Sequence, residues 1–407
     1  MPQPVLGILT LYLNDHQLLE ERSIYQKMTV AGAKLGLRVF VFTPADVNYK
    51  QHRIHALFYQ PETKQWTRRW TTFPNMIFDR CRIQRSHRFE QLKRFRSVYG
   101  HLNFLNRPLR NKWTVYKRLH TESRFRPFLP YTRMVEGKRD IDEMLSGYPL
   151  LYLKPINGTG GRGILRIERL QRSTWRVQGR DHSRKIIKPS TLSVTALHAK
   201  LAAWDMKSRK YLIQQGIALK LPGGRVHDYR MLVQKNGHGE WEATGCAGRV
   251  GPPGSITSNL HGGGHATTMT SLLHRWIGDE EKEQQIIEQA ETFSVDVAAY
   301  LEQSYGRLCE LALDLAIDRN GRIWLLEVNP KPAREVFSQA GDKRTYQLAI
   351  TKPLEYALWL YAQKSRRPNG RTTGRTTGRT TGRTTGRTTG TAAGRSTGAL
   401  QIGPENA

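Results

Sequence analysis

A glycine-rich segment that begins with a lysine follows a short apolar run in the first half of the chain. Residues 154–163 read Lys-Pro-Ile-Asn-Gly-Thr-Gly-Gly-Arg-Gly, so glycine fills four of the last six positions. Glycine lets the backbone turn sharply and present its N–H groups to a ligand, which suits phosphate binding. Residues 164–168 then read as a second strand, whereas a dinucleotide-binding loop requires a helix there, and no Lys-Ser/Thr pair completes a P-loop. The pattern predicts a hairpin folding over phosphates, with Lys154 ending its first strand; an ordinary glycine-rich turn is the alternative.

Two carboxylates and an amide lie on a second predicted hairpin, at residues 313–330. An Asn-Gly turn at 320–321 separates its two apolar strands, and such a turn is a strong hairpin signal. Glu327 and Asn329 are two residues apart and therefore face the same side of their strand, and antiparallel pairing can bring Asp314 alongside. Hard oxygen ligands of this kind suit Mg²⁺ that bridges nucleotide phosphates. The alternative is a hairpin with polar surface residues, which the apolar surroundings of Glu327 disfavour.

Between these hairpins lie further polar residues that could form a second wall for phosphates. Asp228 and Arg230 are followed by Arg249, and Asn259 precedes a run of three glycines. Each of these residues by itself is more typical of structure than of function. Their order and spacing along the chain carry more weight than any one of them.

The elements that must position these residues follow from the apolar pattern. Apolar runs at 5–13 and 37–42 flank a helical segment over 18–35, which predicts a parallel α/β unit that residues 76–79 can extend. A helical segment begins near residue 110. Further strands are predicted over 150–154, 210–214, 229–234 and 323–328, and a long amphipathic helix over 279–305.

The C-terminal end has a different composition. Arg-Thr-Thr-Gly repeats five times between residues 371 and 390, and a four-residue period without apolar side chains cannot build a core. We therefore predict a disordered tail over 363–407. Residues 1–108 are expected to form an N-terminal α/β domain and residues 109–362 a second domain.

The charge balance suggests an anionic partner. The chain has 64 Lys and Arg against 34 Asp and Glu, a net charge of +30, of which +8 lies from Lys364 onward. Basic residues near Trp66, Trp70, Phe89 and Phe95 could contact phosphates and stack bases. A solvated basic face that binds any polyanion is the favoured interpretation, and a nucleic-acid partner is not expected.

Composition also excludes several classes of protein. Nine Trp and 38% hydrophobic residues argue against global disorder. No apolar stretch approaches the ~18 residues of a membrane helix, so no membrane span is expected. The N-terminus lacks the pattern of a signal peptide. Three widely spaced cysteines predict a reducing, cytoplasmic setting without a disulfide framework or a structural zinc site. The 13 histidines show no metal-ligand spacing, so surface or structural roles are expected.

The order of these parts resembles that of the ATP-grasp superfamily and, within it, the YheC/YheD group of endospore coat-associated proteins of spore-forming bacteria. The resemblance covers roughly residues 1–362. It implies an α/β (α+β) ATP-grasp fold with an N-terminal pre-ATP-grasp-like domain and ATP bound between two lobes. The motifs that carry it are Lys112, Lys154 with its glycine loop, Gln214 to Ile217, Asp228-x-Arg230, Arg249, Asn259 and Asp314…Glu327-x-Asn329.

The resemblance also implies a role for each residue. The nucleotide phosphates would be bound by Lys112 and Lys154, with Gly158, Thr159, Gly160, Gly161 and Gly163 closing over them. The backbone of Gln214, Gln215 and Ile217 would form the hinge that reads the adenine edge. One or two Mg²⁺ ions would be held by Asp314, Glu327 and Asn329. Arg249 would stabilise the transferred phosphoryl group, supported by Arg230, Asp228 and Asn259.

The activity implied is that of an ATP-dependent carboxylate–amine ligase acting through an acylphosphate. The expected substrate is a carboxylate or peptide, and the expected setting is the cytoplasm in association with the spore coat or another anionic spore-envelope surface. A catalytically inactive, ATP-binding structural or assembly component of the spore coat is the alternative. A polyanion or nucleic-acid binder is the third and least favoured hypothesis.

Overall fold

The structure is a computed structural model. It describes residues 3–82, 86–109, 111–158, 161–183, 185–204, 209–260 and 263–366 of the 407. The predicted tail lies outside the described residues apart from its first few positions. Thr159 and Gly160 of the glycine loop also lie outside them.

The N-terminal part folds into a first sheet. Its elements are β1 (Val5–Leu9), α1 (Arg22–Lys34), β2 (Arg38–Phe42), β3 (Val47–Asn48), β4 (Arg53–Gln60), β5 (Gln65–Thr71), β6 (Met76–Asp79) and α2 (His87–Tyr99). The strand order is β3-β4-β2-β1-β6, with β5 beside β4. Because β1 pairs in parallel with both β2 and β6, the predicted parallel α/β unit is confirmed. The β4–β5 hairpin was not predicted, since the largely polar sequence of β5 gives no apolar alternation.

Helix α1 begins later than the sequence predicted. The helical pattern starts at Leu18, but Gln17 and Glu21 both have a positive φ of 56°. Residues in this left-handed conformation cannot continue a right-handed helix. The backbone therefore enters the helix only at Arg22, and Leu19 instead forms a bridge to Tyr12.

A second sheet contains the glycine-rich segment. Its elements are α3 (Lys112–Thr121), β7 (Thr132–Val135), α4 (Lys138–Gly147), β8 (Leu150–Pro155), β9 (Ile164–Gln171), β10 (Thr174–Arg180), β11 (Ile186–Ser193), α5 (Val194–Ala202) and β12 (Tyr211–Gln215). The strand order is β11-β10-β9-β8-β12-β7, and the pairs are antiparallel. The predicted strand, glycine loop and strand are present as β8 and β9, which pair from Leu150 with Glu168 to Leu153 with Leu165.

A third sheet carries the predicted carboxylate hairpin. Its elements are β13 (His227–Lys235), β14 (Trp241–Val250), β15 (His265–Thr268), α6 (Met269–Trp276), α7 (Glu280–Tyr305), β16 (Glu310–Ile317), β17 (Ile323–Asn329), α8 (Glu335–Gln339) and α9 (Lys343–Arg366). The strand order is β15-β14-β13-β16-β17, and the pairs are antiparallel. The predicted long helix is α7, whose first turn is capped by the side chain of Asp279. None of the described helices is long and apolar enough to cross a membrane.

The last helix joins the first sheet to the rest of the molecule. Ile350 and Leu354 of α9 belong to the same buried apolar cluster as Ile24 and Met28 of α1. The chain up to Arg366 therefore forms one compact unit. The domain boundary expected near residue 108 remains a prediction.

A buried ion network holds the segment that follows β17. Glu310 accepts hydrogen bonds from both Arg80 and Arg334, and neither arginine is exposed to solvent. Arg80 also donates to the carbonyl of Pro332 at 2.8 Å. Lys331 is bound to Asp79, at the end of β6. Because a buried charge is costly unless it is paired, these contacts hold the chain firmly just beyond the predicted metal ligands.

Candidate functional site

A cavity of about 190 Å³ is lined by residues of the second and third sheets. Nearly all of the described residues predicted for the site lie in its wall. These are Lys112, Lys154, Gly158, Gly161, Gln214, Gln215, Ile217, Asp228, Arg230, Arg249, Asn259, Asp314, Glu327 and Asn329. Gly163 belongs to the same loop but does not line the cavity. Residues from distant parts of the sequence thus meet in one place.

The carboxylate hairpin has the geometry that its spacing predicted. Asp314 of β16 lies opposite Glu327 of β17, and Ala312 lies opposite Asn329. The register shifts between Asp314 and Leu315, so Leu326 is an extra residue in β17. A β-bulge of this kind turns two consecutive side chains to one face, which explains why Leu326 and Glu327 both line the cavity.

The glycine loop packs closely against two neighbouring segments. Gly161 has a φ of +73°, and a Cβ there would lie 2.8 Å from the amide nitrogen of Asn259. Gly163 has a φ of +68°, and a Cβ there would lie 2.4 Å from the ring of His182. Only glycine combines this backbone conformation with so close an approach. Asn259 therefore contacts the loop itself in this structure.

The two lysines approach the cavity from different elements. Lys112 is the first residue of α3, whose N-terminus is capped by Asn111, and its ammonium donates to the carbonyl of Gly158 at 2.7 Å. The same ammonium lies 3.5 Å from the carboxylate of Glu327. Lys112 therefore connects the glycine loop with the carboxylate hairpin.

Lys154 is held at the end of β8 by two acceptors. Its ammonium donates to the side-chain oxygen of Gln214 at 2.7 Å and to the carbonyl of Leu326 at 3.3 Å. Burial and the nearby charge of Lys112 lower the pKa of Lys154 to about 8, against the opposing effect of Glu327 and Asp314. An anion that enters the cavity would favour the charged form of this lysine.

Four charged side chains form a chain of alternating sign across the third sheet. Arg249 donates to both oxygens of Asp228, at 2.7 and 2.5 Å, and lies 3.2 Å from Asp314. Arg230 donates to both oxygens of Asp314, at 2.9 and 3.0 Å. Burial acts to raise the pKa of Asp314, but the two guanidinium groups outweigh it and lower that pKa to about 2.

The two arginines differ in their access to a ligand. The side chain of Arg249 is 5% exposed and that of Arg230 is 17% exposed. The guanidinium of Arg249 is engaged by two buried carboxylates, so its contacts in this structure are those of a group that holds Asp228 and Asp314 in place. Arg230 also lines the cavity and is the more exposed of the two, which makes it the better placed to contact a ligand.

Two backbone N–H groups of the predicted hinge already form hydrogen bonds within the protein. The N–H of Gln215 donates to the carbonyl of Tyr131, and the N–H of Gly216 donates to that of Leu150. The side chain of Gln214 lies between Lys154 and Thr132. Of the predicted hinge residues, Ile217 is therefore the best placed to offer its backbone to a planar base.

Sequence reasoning missed an apolar part of the wall. Its described members are Tyr152, Ile164, Leu219, Val226, Ile256 and Leu326. No local signal distinguishes these residues from ordinary core residues, because the cavity that they line exists only once the two sheets are assembled. An apolar wall beside convergent polar groups is typical of a site for a small organic ligand.

His227 also lines this cavity, whereas the sequence indicated only surface or structural roles for the histidines. It is fully buried, and its Nδ1 lies 2.8 Å from the carbonyl of Leu219. Its ring packs edge-on against Trp276, with centroids 4.4 Å apart. Burial lowers the pKa of His227 to about 4, so the ring is neutral at physiological pH.

The three residues predicted to hold a metal suit a cation that is also coordinated by the phosphates of a bound nucleotide. Among the described residues, no group of three or more His, Cys, Asp and Glu side chains could hold a metal. Asp314 is occupied by two arginines, and the amide nitrogen of Asn329 donates to it at 3.2 Å. One or two carboxylates, an amide oxygen and the phosphates of a nucleotide are nonetheless a typical set for Mg²⁺. Glu327, whose contact with Lys112 is long at 3.5 Å, is the most available of the three.

Comparison with known proteins agrees with this fold. The crystal structure of the D-cycloserine synthetase DcsG superposes with a TM-score of 0.52 at 12% sequence identity, covering 88% of this chain and 99% of that one. The fold is that of the ATP-grasp proteins, a fold shared with ligases. The model of the YheC/D-like ATP-grasp family matches residues 101–360, and the chain belongs to that family.

Two curated relatives come from Bacillus subtilis (strain 168). The chain is 30% identical to the endospore coat-associated protein YheC over 344 residues, which are 82% of this chain and 91% of YheC. It is 26% identical to the endospore coat-associated protein YheD over 364 residues, which are 88% of this chain and 79% of YheD. The ATP-grasp resemblance seen in the sequence is therefore confirmed at the level of family and fold.

Proposed function

We propose that the protein binds ATP with one or two Mg²⁺ ions in the cavity and uses it to join a carboxylate to an amine. The observation that carries this proposal is the meeting of Lys112, Lys154 and Arg230 with Asp314, Glu327 and Asn329 in a single cavity. Cations suited to phosphates and oxygens suited to Mg²⁺ are the combination that sites for Mg-bound nucleotides use.

The lining of the cavity suits both the base and the phosphates of a nucleotide. Ile217 and the apolar wall offer a low-dielectric slot for a base. Lys112, Lys154 and the backbone of the glycine loop face the triphosphate, whose charge they would neutralise. Glu327 and Asn329, with Asp314, would hold Mg²⁺, which supplies further neutralisation of the phosphate oxygens.

The proposed reaction needs positioning more than proton transfer. A carboxylate attacks the γ-phosphorus, the bond to the β-phosphate oxygen breaks, and an acylphosphate and ADP are formed. An amine then attacks the acyl carbon, releases inorganic phosphate and leaves an amide. Arg230 lies beside Asp314 with part of its surface open, so it can stabilise charge on the transferred group. Arg249 acts through Asp228 and Asp314 as a positioning residue.

A second candidate function is ATP binding without ligation, in a structural or assembly component of the spore coat. The names of both curated relatives favour this setting, since they describe coat-associated proteins. The ion pairs of Asp314 with Arg230 and Arg249 also favour it, because they engage one of the three predicted metal ligands. An anionic spore-envelope surface is the proposed location for either candidate.

A substrate screen separates the two candidates. Purified protein is incubated with Mg·ATP, single carboxylates or short peptides, and single amines, and release of ADP and phosphate is measured. Ligation predicts release that requires both partners and is absent in the Glu327→Gln variant. If ATP binds but no combination releases ADP above that blank, the binding function is the one retained.

Proton uptake on ATP binding is expected from the environment of Lys154. In the free protein at about pH 8 this lysine is roughly half protonated, because its pKa is lowered to about 8. A bound triphosphate raises that pKa, so binding takes up as much as about half a proton at this pH and less as the pH falls towards ~6.5. Calorimetry in buffers of different ionisation enthalpy measures the uptake. Lys154→Arg keeps the charge without titrating, so equal uptake by the two proteins would contradict the assignment.

A further inference from the structure

The first sheet carries an open groove of about 670 Å³ that shares no residue with the site described above. We call it the Trp70 groove and define it by six of its lining residues. These are Asp46, Asn48, Lys50, His55, Arg68 and Trp70. It lies where the β4–β5 hairpin faces the short segment around β3, in the region of Trp70, for which the sequence indicated a basic face that binds any polyanion.

An aromatic platform forms one wall of the Trp70 groove. Trp70 of β5 is paired with His55 of β4, and their rings stack with centroids 4.9 Å apart and an angle of 19° between planes. Even so, Trp70 remains 48% exposed. A large indole that is held in place by a neighbouring ring and still faces solvent can stack on a ligand at little entropic cost.

The ion pair between Arg68 and Asp46 forms another wall, and further hydrogen bonds hold both side chains in place. Arg68 donates to Asp46 at 2.9 Å, to the carbonyl of His55 at 3.2 Å and to the side chain of Gln17 at 2.9 Å. Asp46 in turn accepts from the backbone and the hydroxyl of Thr43. These groups satisfy one another and position the groove, and the negative charge of Asp46 is neutralised within it.

The rim of the groove is cationic. Lys50 lines the groove and is exposed. Arg53 is exposed beside it and donates to the carbonyl of Trp70 at 3.4 Å. The guanidinium of Arg94 lies 4.5 Å from the ring centroid of Tyr49, which also lines the groove. Positive charge around an exposed ring complements a ligand that carries both rings and negative charge.

We propose that the Trp70 groove binds an acidic polysaccharide, with one sugar ring stacked on Trp70 and carboxylates facing Lys50, Arg53 and Arg94. The apolar C–H face of a sugar packs on an indole, and its hydroxyl groups suit the amide side chains of Asn48 and Gln17 that line the groove. The proposal concerns a second site and does not depend on ATP binding.

The aromatic residues of this region favour a sugar polymer over a single-stranded nucleic acid. Successive bases need several exposed rings, each with a face open for stacking. Of the four aromatic residues considered in the sequence, Phe95 is fully buried, and Trp66 and Phe89 pack partly buried against apolar clusters. Trp70 is the exposed one among these four, so they form no row of open rings on which successive bases could stack.

The test uses an oligogalacturonate as the probe and calorimetry at about 0.15 M salt as the measurement. Trp70→Ala is expected to weaken binding by about 10-fold, the scale of one aromatic contact. Lys50→Gln together with Arg53→Gln is expected to weaken binding and to reduce its dependence on salt. Trp70 and Lys50 are exposed, so their substitution should leave the fold intact. An unchanged thermal unfolding temperature of the variants checks this.

Matched controls lie elsewhere on the surface. Tyr131 is 43% exposed and stacks on Tyr148, and Arg139 is an exposed cation of α4. Binding by Tyr131→Ala and Arg139→Gln should equal that of the unmodified protein. If these controls lost as much affinity as Trp70→Ala, or if Trp70→Ala lost none, the Trp70 groove would be rejected as the binding site. Binding to diffuse surface charge would then be the explanation.

Two further probes test the chemistry of the partner. A neutral oligosaccharide of the same length should bind at least about 10-fold more weakly if the cationic rim contributes. Equal binding of the neutral and acidic sugars would overturn the acidic specificity. Oligo(dT) that binds more tightly than the oligogalacturonate, with the same loss in Trp70→Ala, would overturn the polysaccharide and identify a nucleic acid.

Discussion

The Glu327→Gln/Asn329→Ala variant should lose Mg²⁺-dependent ATP binding or turnover by a factor on the order of 100 or more. Both side chains lie on one face of β17 and line the cavity, and Asp314 is already engaged by Arg230 and Arg249. Removing the carboxylate and the amide oxygen therefore takes away the two proposed ligands that would be most available to the cation. Nucleotide titrations with Mg²⁺ and with EDTA measure the loss.

The matched control is Glu288→Gln/Gln289→Ala, on the exposed side of α7. It removes a carboxylate and a side-chain amide away from the cavity, as the site variant does within it, and should leave Mg²⁺-dependent binding as it is. Glu327 is partly exposed, with 27% of its side chain open, so the site variant should still fold and unfold cooperatively. Unchanged Mg²⁺-dependent binding in a folded site variant would reject the assignment of the metal ligands.

Arg249→Met should have the largest effect on stability, a loss of about 3–5 kcal/mol in the free energy of unfolding at pH 7. The guanidinium is 5% exposed and is the bidentate partner of Asp228, whose side chain is 7% exposed. Methionine fills much of the same volume but leaves a buried carboxylate without its counter-charge. Urea denaturation followed by circular dichroism measures the difference.

The pH dependence of that difference follows from Asp314. Its pKa is lowered from 3.8 to about 2, so its ion pairs contribute stability that is present above 3.8 and is lost as the pH falls towards 2. Arg249→Met removes part of this contribution, and the gap between the two proteins should therefore narrow in acid. A gap that stays constant from pH 7 to ~3 would contradict the electrostatic explanation.

A second variant separates the loss of charge from the loss of packing. Asp228→Asn added to Arg249→Met removes the uncompensated carboxylate, so the double variant should be more stable than Arg249→Met alone. If the stability losses caused by the two substitutions simply added, Arg249 would stabilise the fold through packing and not through its charge. Arg249 is expected to hold Asp228 and Asp314 in place. Arg249→Met should therefore also bind Mg·ATP less well at temperatures where it is folded.

The candidate site was largely predictable from the sequence because short sequence patterns identify most of its residues. Glu327 and Asn329 interrupt an apolar strand at a spacing of two, and an Asn-Gly turn places Asp314 across from them. The glycines around Gly161 signal a backbone that must approach something closely, and the strand after them indicates a hairpin. These signals depend on strand period and turn chemistry, which operate over a few residues.

Other features depend on which strands become neighbours. The pairing of Arg249 with Asp228 requires β13 and β14 to lie side by side in the observed register. The N–H of Gln215 donates to the carbonyl of Tyr131, just before β7, and the N–H of Gly216 donates to the carbonyl of Leu150 in β8. No pattern within residues 214–217 indicates these hydrogen bonds. The late start of α1 also escapes the apolar pattern, because the cause is a backbone conformation at Gln17 and Glu21.

The net charge shows the same division. Composition alone established a strong positive surplus and a tail of Arg-Thr-Thr-Gly repeats. The tertiary structure decided which cations have partners. Arg80, Arg230, Arg249 and Arg334 are held by buried or half-buried carboxylates, whereas Lys50 and Arg53 remain exposed beside Trp70.

The sequence by itself determined most of the local elements, the family and the kinds of chemical group available to the protein. The tertiary structure alone decided that Lys112, Lys154 and the carboxylate hairpin share a cavity with an apolar wall, and that the β4–β5 hairpin builds a groove. The physical reason is that strand period and turn type are short-range properties of the chain. A cavity and an ion pair instead arise from packing between residues that are far apart in sequence.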